Sequence, residues 1–165
     1  MRPPLIENLQ YAKFTPGIFE QMGAGGVDAV HVTIAYHESL REMGLTLGQW
    51  NRWFEAHTDL IFKGTVCAAH TRRAARRFFF GFQSPSTIED DIGLVEICHQ
   101  LGIRFMQLTY NNQPLLATGC YEDYTAGLSR MGRQVVTEMN RAGLVVDMSH
   151  FDHPRQACMV AQDLA

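Results

Sequence analysis

The run Ala29-Val30-His31-Val32-Thr33-Ile34-Ala35 is β-branched and alternating, and it predicts a strand. Helical patterns flank it. Upstream, Thr15-Pro16 sets an N-cap with proline at the first helical position. Ile18, Phe19 and Met22 give that helix an apolar side, and Gly23, Gly25 and Gly26 end it. Downstream, Leu40, Leu47, Trp50, Phe54 and His57 form the apolar side of a helix spanning roughly 39–58, weakened by Gly44 and Gly48. A strand between two helices is the unit of an α/β fold, and the unit repeats along the chain.

Leu5-Ile6-Glu7-Asn8-Leu9 is a short opening strand. The stretch from Gly64 to Arg77 is helix-compatible, with Arg72, Arg73, Arg76 and Arg77 making one basic side. Phe78-Phe79-Phe80-Gly81-Phe82-Gln83 stays apolar until its last residue, which suits a strand buried on both faces. Ser84-Pro85-Ser86 breaks it, and Ser86 with Glu89 fits a capping box for a helix carrying Ile88, Ile92, Val95 and Cys98 and stopped by Gly102. Ile103–Tyr110 is a fourth strand, 111–125 a turn-rich loop, Leu128–Ala142 a helix and Leu144–Met148 a fifth strand. A last helix is expected near Pro154. About five βα units in series predict parallel strands paired in chain order through helical crossovers. The fold class is therefore α/β: parallel βα repeats forming a partial (β/α)8 TIM-type barrel, one domain over residues 1–165, since a whole barrel takes about 250 residues. Its first and fifth strands would present unpaired edges, so a homo-oligomer is expected.

The chain has 165 residues, 46% hydrophobic and 19% charged, which excludes a disordered segment and allows a real core. A net charge of −3 gives no electrostatic reason to expect nucleic acid or an anionic membrane as partner. No stretch approaches the roughly 20 apolar residues of a bilayer span. Met1-Arg2-Pro3-Pro4-Leu5 lacks the apolar core of a secretory signal. Cys67, Cys98, Cys120 and Cys158 form no CxxC pair; free thiols and a cytoplasmic location are the expectation. There is no GxGxxG, no phosphate-binding GxxxxGK[ST], no GxSxG elbow and no cysteine with an evident histidine partner.

Parallel α/β folds work at the carboxyl ends of their strands. Those ends carry Asn8 and Gln10, His31 to His37, Gln83, Tyr110 with Asn111 and Asn112, and Asp147 with His150. His150 is the strongest single candidate, in Ser149-His150-Phe151-Asp152-His153, but a metal would need ligands from other strand ends. His31 reads as a hydrogen-bonded core histidine and His37-Glu38 as a solvated loop. Glu89-Asp90-Asp91 complements a helix dipole, and the arginine side is a solvated face. Alternation puts Gly81 with Gln83, Met106 and Leu108 with Tyr110, and Val146 and Met148 with His150. These rows are expected to line the barrel interior, so that Gln83, Tyr110 and His150 converge at one mouth beside Asn8 or Gln10.

Three segments together, residues 102–112, 127–141 and 143–150, resemble the renal (membrane) dipeptidase family of zinc peptidases, and Phe80-Gly81-Phe82-Gln83 with Asp91-Ile92-Gly93-Leu94 adds a fourth likeness. The resemblance spans the chain but only about the first half of the family's length. It implies a (β/α)8 barrel with two zinc ions at the strand ends, a bridging carboxylate, and a metal-bound hydroxide that hydrolyses a small peptide or amide substrate. On that likeness His150 matches a metal histidine, Gln83 stands where the family has its bridging glutamate, and Asn8 and Gln10 stand where it has a His-x-Asp metal pair. Tyr110, beside Asn111, stands where many members have a substrate-contacting histidine. A second metal histidine and a catalytic aspartate would follow Ala165. Glutamine and asparagine offer one neutral carbonyl oxygen each, a poor exchange for carboxylate and imidazole at zinc. The implied function is metal-dependent dipeptidase-like hydrolysis; the alternative is an inactive or truncated member with a ligand-binding or structural role.

Overall fold

The computed structural model describes residues 2–65, 75–124 and 126–152. In chain order the elements are β1 (Ile6–Gln10), α1 (Pro16–Ala24), β2 (Ala29–Ala35), α2 (Leu40–Ala56), β3 (Ile61–Lys63), β4 (Arg76–Phe82), a 3-10 turn (Pro85–Ile88), α3 (Gly93–Leu101), β5 (Ile103–Gln107), α4 (Arg130–Ala142) and β6 (Val145–Asp147). All strand pairs are parallel. The order across the sheet is β1-β2-β4-β5-β6, with β3 beside the start of β4. Helices alternating with strands in this order curl the sheet into a half-barrel.

The convex face is a conventional core. Val30 and Val32 of β2 align with Phe78 and Phe80 of β4, Ala35 aligns with Phe82 after a shift in register, and all three phenylalanines are fully buried. Against them lies α2. Its Ser39 side chain accepts from the Glu42 backbone while the Glu42 carboxylate accepts from the Ser39 N–H, so the chain end of the helix is satisfied from within. Met43, Leu47 and Trp50, at helical spacing, are its buried residues, and the Trp50 ring lies 5.4 Å from Phe78 and 5.6 Å from Phe80. A buried aromatic of this size contributes about 3–5 kcal/mol when measured by truncation to alanine. That packing overrides the two glycines that weaken the helix by sequence.

The concave face is different. It is an open trough of about 660 Å³, bordered by Ile6, Asn8, His31, Phe79, Phe105 and Val145. His31 is its buried polar residue, 2% exposed. Its Nδ1 lies 2.8 Å from Asn8 Oδ1, its ring stacks on Phe105 at 4.1 Å, and its Nε2 has no hydrogen-bond partner among the described residues. The ring fits because residue 81 is glycine: a Cβ there would stand 2.0 Å from His31 Nε2 and 2.9 Å from Phe105 Cβ. Burial pushes the imidazole down to about 4, partly opposed by the Asp147 carboxylate.

Several expectations are corrected. β3 is an added short strand, too brief for any alternation to register. Arg76 and Arg77 open β4 instead of closing a helix. The Arg76 guanidinium donates to Val27 O (3.1 Å) and Gly23 O (2.9 Å), tying the end of α1 to the sheet. Ser86 and Glu89 form no capping box. Ser84 caps a 3-10 turn, and α3 begins only at Gly93, whose N–H donates to Asp91 Oδ1 at 2.8 Å. The pairing of faces is also reversed for two strands. Met106 aligns with Phe82 and Val146 with Met106, all on the helix side; Phe105 and Val145 face the trough, and alternation puts Gln107 and Asp147 in their rows. A strand buried on both faces carries no polarity contrast from which to read its sides. Cys67, His70, Arg72, Arg73, His153, Cys158 and the helix expected near Pro154 lie outside the described residues.

Two outcomes follow from the His31–Gly81 contact. Gly81→Ala should lower stability by about 1–3 kcal/mol by overpacking, and His31→Ala in the same chain should recover part of the loss. Additive losses in denaturant titrations of the single and double variants would contradict the contact. The second outcome concerns acid. His31 is neutral in the fold, whereas the unfolded chain protonates near 6.5. Its contribution is therefore full above pH 6.5 and declines as pH falls from 6.5 to about 4, by about 3 kcal/mol in all. Unfolding midpoints of wild type and His31→Gln should diverge in their pH dependence across that window; parallel curves would refute the assignment.

Candidate functional site

The carboxyl ends of the strands form a rim in which backbone strain is concentrated. The non-glycine residues with positive φ among the described residues are Leu9 (54°), Glu89 (50°), Asn111 (58°) and His150 (60°). Leu9 is at the end of β1, Asn111 and His150 follow β5 and β6, and Glu89 follows the 3-10 turn after β4. Such conformations cost about 1–3 kcal/mol each and persist where the surroundings over-determine them, often at functional sites.

At Leu9 the strain belongs to a bulge. Glu7 aligns with Val30 but Gln10 with Val32, so β1 spends three steps on two of β2. Asn8 stays over His31 and the trough, while the register aligns Gln10 with a helix-facing row. The bulge also turns Leu9 O toward Gln83. The Gln83 amide donates to Thr33 Oγ1 at 2.8 Å and, more weakly, to Leu9 O at 3.5 Å. Gln83 thus stitches the ends of β1, β2 and β4 together.

A second group stands beside it. The His150 ring stacks on Tyr110 at 4.4 Å, and its Nδ1 lies 2.8 Å from Asn111 Oδ1. Tyr110 meets Tyr36 at 4.3 Å, and Tyr36 meets His37 at 4.6 Å and Tyr11 at 6.0 Å. Rings after β1, β2, β5 and β6 therefore form a continuous arc. Burial and the hydrogen bond to Tyr110 push the Tyr36 phenol up, so it stays protonated and can donate. The Glu38 carboxylate accepts from the backbone N–H groups of Tyr36 and His37, holding that loop in place.

The arc is backed by a fixed loop. Cys120 N–H donates to His150 O at 3.0 Å, and Gly119 pairs with Phe151. Gly119 is packed so closely that a Cβ would lie 2.1 Å from Asn111 O. This pairing brings Cys120 Sγ to 4.0 Å from His150 Nδ1, so one cysteine does have a histidine neighbour, contrary to the sequence expectation. Tyr11 and Cys120 are the rim residues that sequence reasoning passed over, while Tyr36 lay within the strand-end stretch His31 to His37 without being singled out. Tyr11 was signalled by its place directly after β1; nothing local signals Cys120, which arrives through a loop.

Gln83 and Asn8 are thus brought together on one side, and Tyr110, Asn111 and His150 on the other; among the described residues the two groups share no side-chain hydrogen bond. The zinc pair that the resemblance implies does not fit these donors. The Gln83 amide nitrogen is committed to Thr33 and Leu9, Asn8 Oδ1 is committed to His31, and no carboxylate stands among Asn8, Gln10 and Gln83. No group of three or more His, Cys, Asp or Glu side chains among the described residues could hold one ion. What the rim offers is neutral amides and aromatic faces, a chemistry for hydrogen-bonding and stacking a small polar molecule.

No helix among the described residues is long and apolar enough to cross a membrane. The sequence matches the family described as membrane dipeptidase (peptidase family M19) over residues 9–161. It is 27% identical over 137 residues to the dipeptidase tcpJ of Claviceps purpurea, covering 74% of this chain and 29% of that one. It is 36% identical over 72 residues to the dipeptidase verJ of Clonostachys rogersoniana, covering 42% of this chain and 19% of that one. The structure is similar to an amidohydrolase from Pseudomonas aeruginosa, with a TM-score of 0.88 and 32% identity over 97% of this chain and 50% of that one. The fold is also that of a metallopeptidase from Rhodobacter sphaeroides, with a TM-score of 0.78 and 15% identity over 98% of this chain and 62% of that one. The chain therefore spans only part of each relative's length, and with a family match running over most of its own residues it belongs to the membrane dipeptidase family.

Proposed function

We propose that this chain forms the substrate-recognising wall of a dipeptidase-like site for a small peptide or amide. The observation that carries the reading is the rim itself: Gln83, Asn111 and His150 offer amide and imidazole groups, and the Tyr36–Tyr110–His150 arc offers ring faces, at the strand ends where parallel barrels bind ligands. A peptide bond has one donor and one acceptor, and such a wall can pair both. The family implies a metal cofactor, and metal-dependent hydrolysis of the amide bond is the corresponding reaction. The Rhodobacter sphaeroides structure, solved with a phosphinate mimic of the dipeptide L-Ala-D-Ala, supports a dipeptide as the class of ligand.

One observation favours a second reading, a member that binds without hydrolysing. Gln83, which on the family likeness stands at the position of the bridging glutamate, carries an amide already bonded to protein. Zinc titration of wild type, Gln83→Glu and His150→Ala separates the two. Weak zinc binding in wild type, strengthened by Gln83→Glu, is expected for a wall depleted of metal ligands. Tight stoichiometric zinc in wild type would refute the depleted wall and favour the active hydrolase. Equal weak affinity in all three would remove His150 as a ligand.

The open trough motivates a proposal about assembly. Ile6 and Val145 on the two edge strands are 60% and 50% exposed beside it. An apolar face of this kind, between strand edges that have no partner among the described residues, calls for a cover. The 165-residue chain should sediment as a dimer or larger. A monodisperse monomer, stable to dilution, would refute this.

A further inference from the structure

A cavity of about 360 Å³ opens beside Tyr110, between the turn that follows β4 and the loop at 112–116. Its accessible apolar lining is Pro114 and Leu115, with Pro85 and Leu116 buried beneath, and His37 and Tyr110 contribute rings. Among its lining residues only Glu89 carries a permanent charge. The Glu89 carboxylate makes no hydrogen bond or ion pair among the described residues. Asp90 and Asp91 follow it directly, so the local field is negative.

Glu89 also has φ 50° and ψ −126°, a conformation that suits glycine and strains any other residue. Neither of its neighbours requires a side chain here: the turn is closed by the Glu89 backbone N–H to Ser86 O, a bond glycine would make equally well. The position holds an unpaired carboxylate at the edge of a cavity, at a cost to the backbone.

We infer that this cavity is a side-chain subsite for a cationic group: a primary ammonium set against Glu89 and the Tyr110 ring, with its methylene stem on Pro114 and Leu115. The carboxylate supplies charge, the ring supplies a face for the cation, and the apolar floor takes the stem. The inference rests on the reading of the rim as a wall for small peptides or amides, and it names the side-chain class that wall selects. An exposed ion pair and a single ring contact together support a preference of about fivefold to tenfold, larger at low salt.

The test uses four probes, n-butylamine and the dipeptides Ala-Lys, Ala-Leu and Ala-Glu, titrated by NMR into wild type, Glu89→Gln and Glu89→Gly. In wild type, Ala-Lys should bind at least about fivefold more tightly than Ala-Glu, with Ala-Leu between, and n-butylamine should shift the Tyr110 resonances. Both variants should lose the difference. Glu89→Gly should melt no lower than wild type, because glycine relieves the strain, so the loss cannot be ascribed to unfolding. Dipeptides that bind without charge preference would overturn the subsite and leave the peptide reading standing. Binding of n-butylamine alone would overturn the peptide reading and keep the cationic pocket. Binding of none of the four would overturn both.

Discussion

The contact between the His31 imidazole and the bare Cα of Gly81 organises the concave side of this protein. A parallel sheet of large residues on both faces would need helices on both faces. Here the helix side takes Phe78, Phe80 and Phe82, and the other side receives a ring where β4 has no side chain. That ring reaches across to Asn8 on β1 and lies flat on Phe105 of β5. One residue of β2 therefore touches three other strands, β1, β4 and β5, and their relative positions set where each strand end emerges.

The two sides of the rim inherit different chemistry from this arrangement. Over β1, β2 and β4, polar groups satisfy one another: Gln83 with Thr33 and Leu9, Asn8 with His31. Over β5 and β6, His150 is held by one amide and one ring and remains half-buried at the surface. A carboxylate at position 83 would have demanded a cation; the amide nitrogen finds acceptors within the protein, Thr33 Oγ1 and Leu9 O. In this chain the polar groups of the wall are mostly used to hold its own strand ends in register.

Much of the fold was legible because parallel βα repeats announce themselves in two periods, and β2, α2 and α4 carry them clearly. The strand ends were legible for the same reason, since a strong strand followed by a polar residue marks the mouth. The faces of β5 and β6 were not. Ile103–Tyr110 reads as apolar on both sides, and only the partner Gly81 tells which side is concave. Ser86 and Glu89 match a capping box in letters, but Pro85 fixes the backbone one residue early and a 3-10 turn forms instead. The separation of Asn8 from Gln10 depends on a bulge at Leu9, a leucine in a conformation no local pattern forecasts.

The loop behind Tyr110 has a consequence of its own. It is pinned at Ala117 to Leu128 and at Gly119 to Phe151, and Gly119 leaves no space for a methyl group. A segment closed on itself in this way is masonry rather than a door. If the rim receives a ligand as proposed above, it would pass this flank with the loop held at these two pairings, and discrimination there would follow the outline of a preformed recess. A change of diet in a related chain would then be carved into the side chains of that recess, with the loop's path left alone.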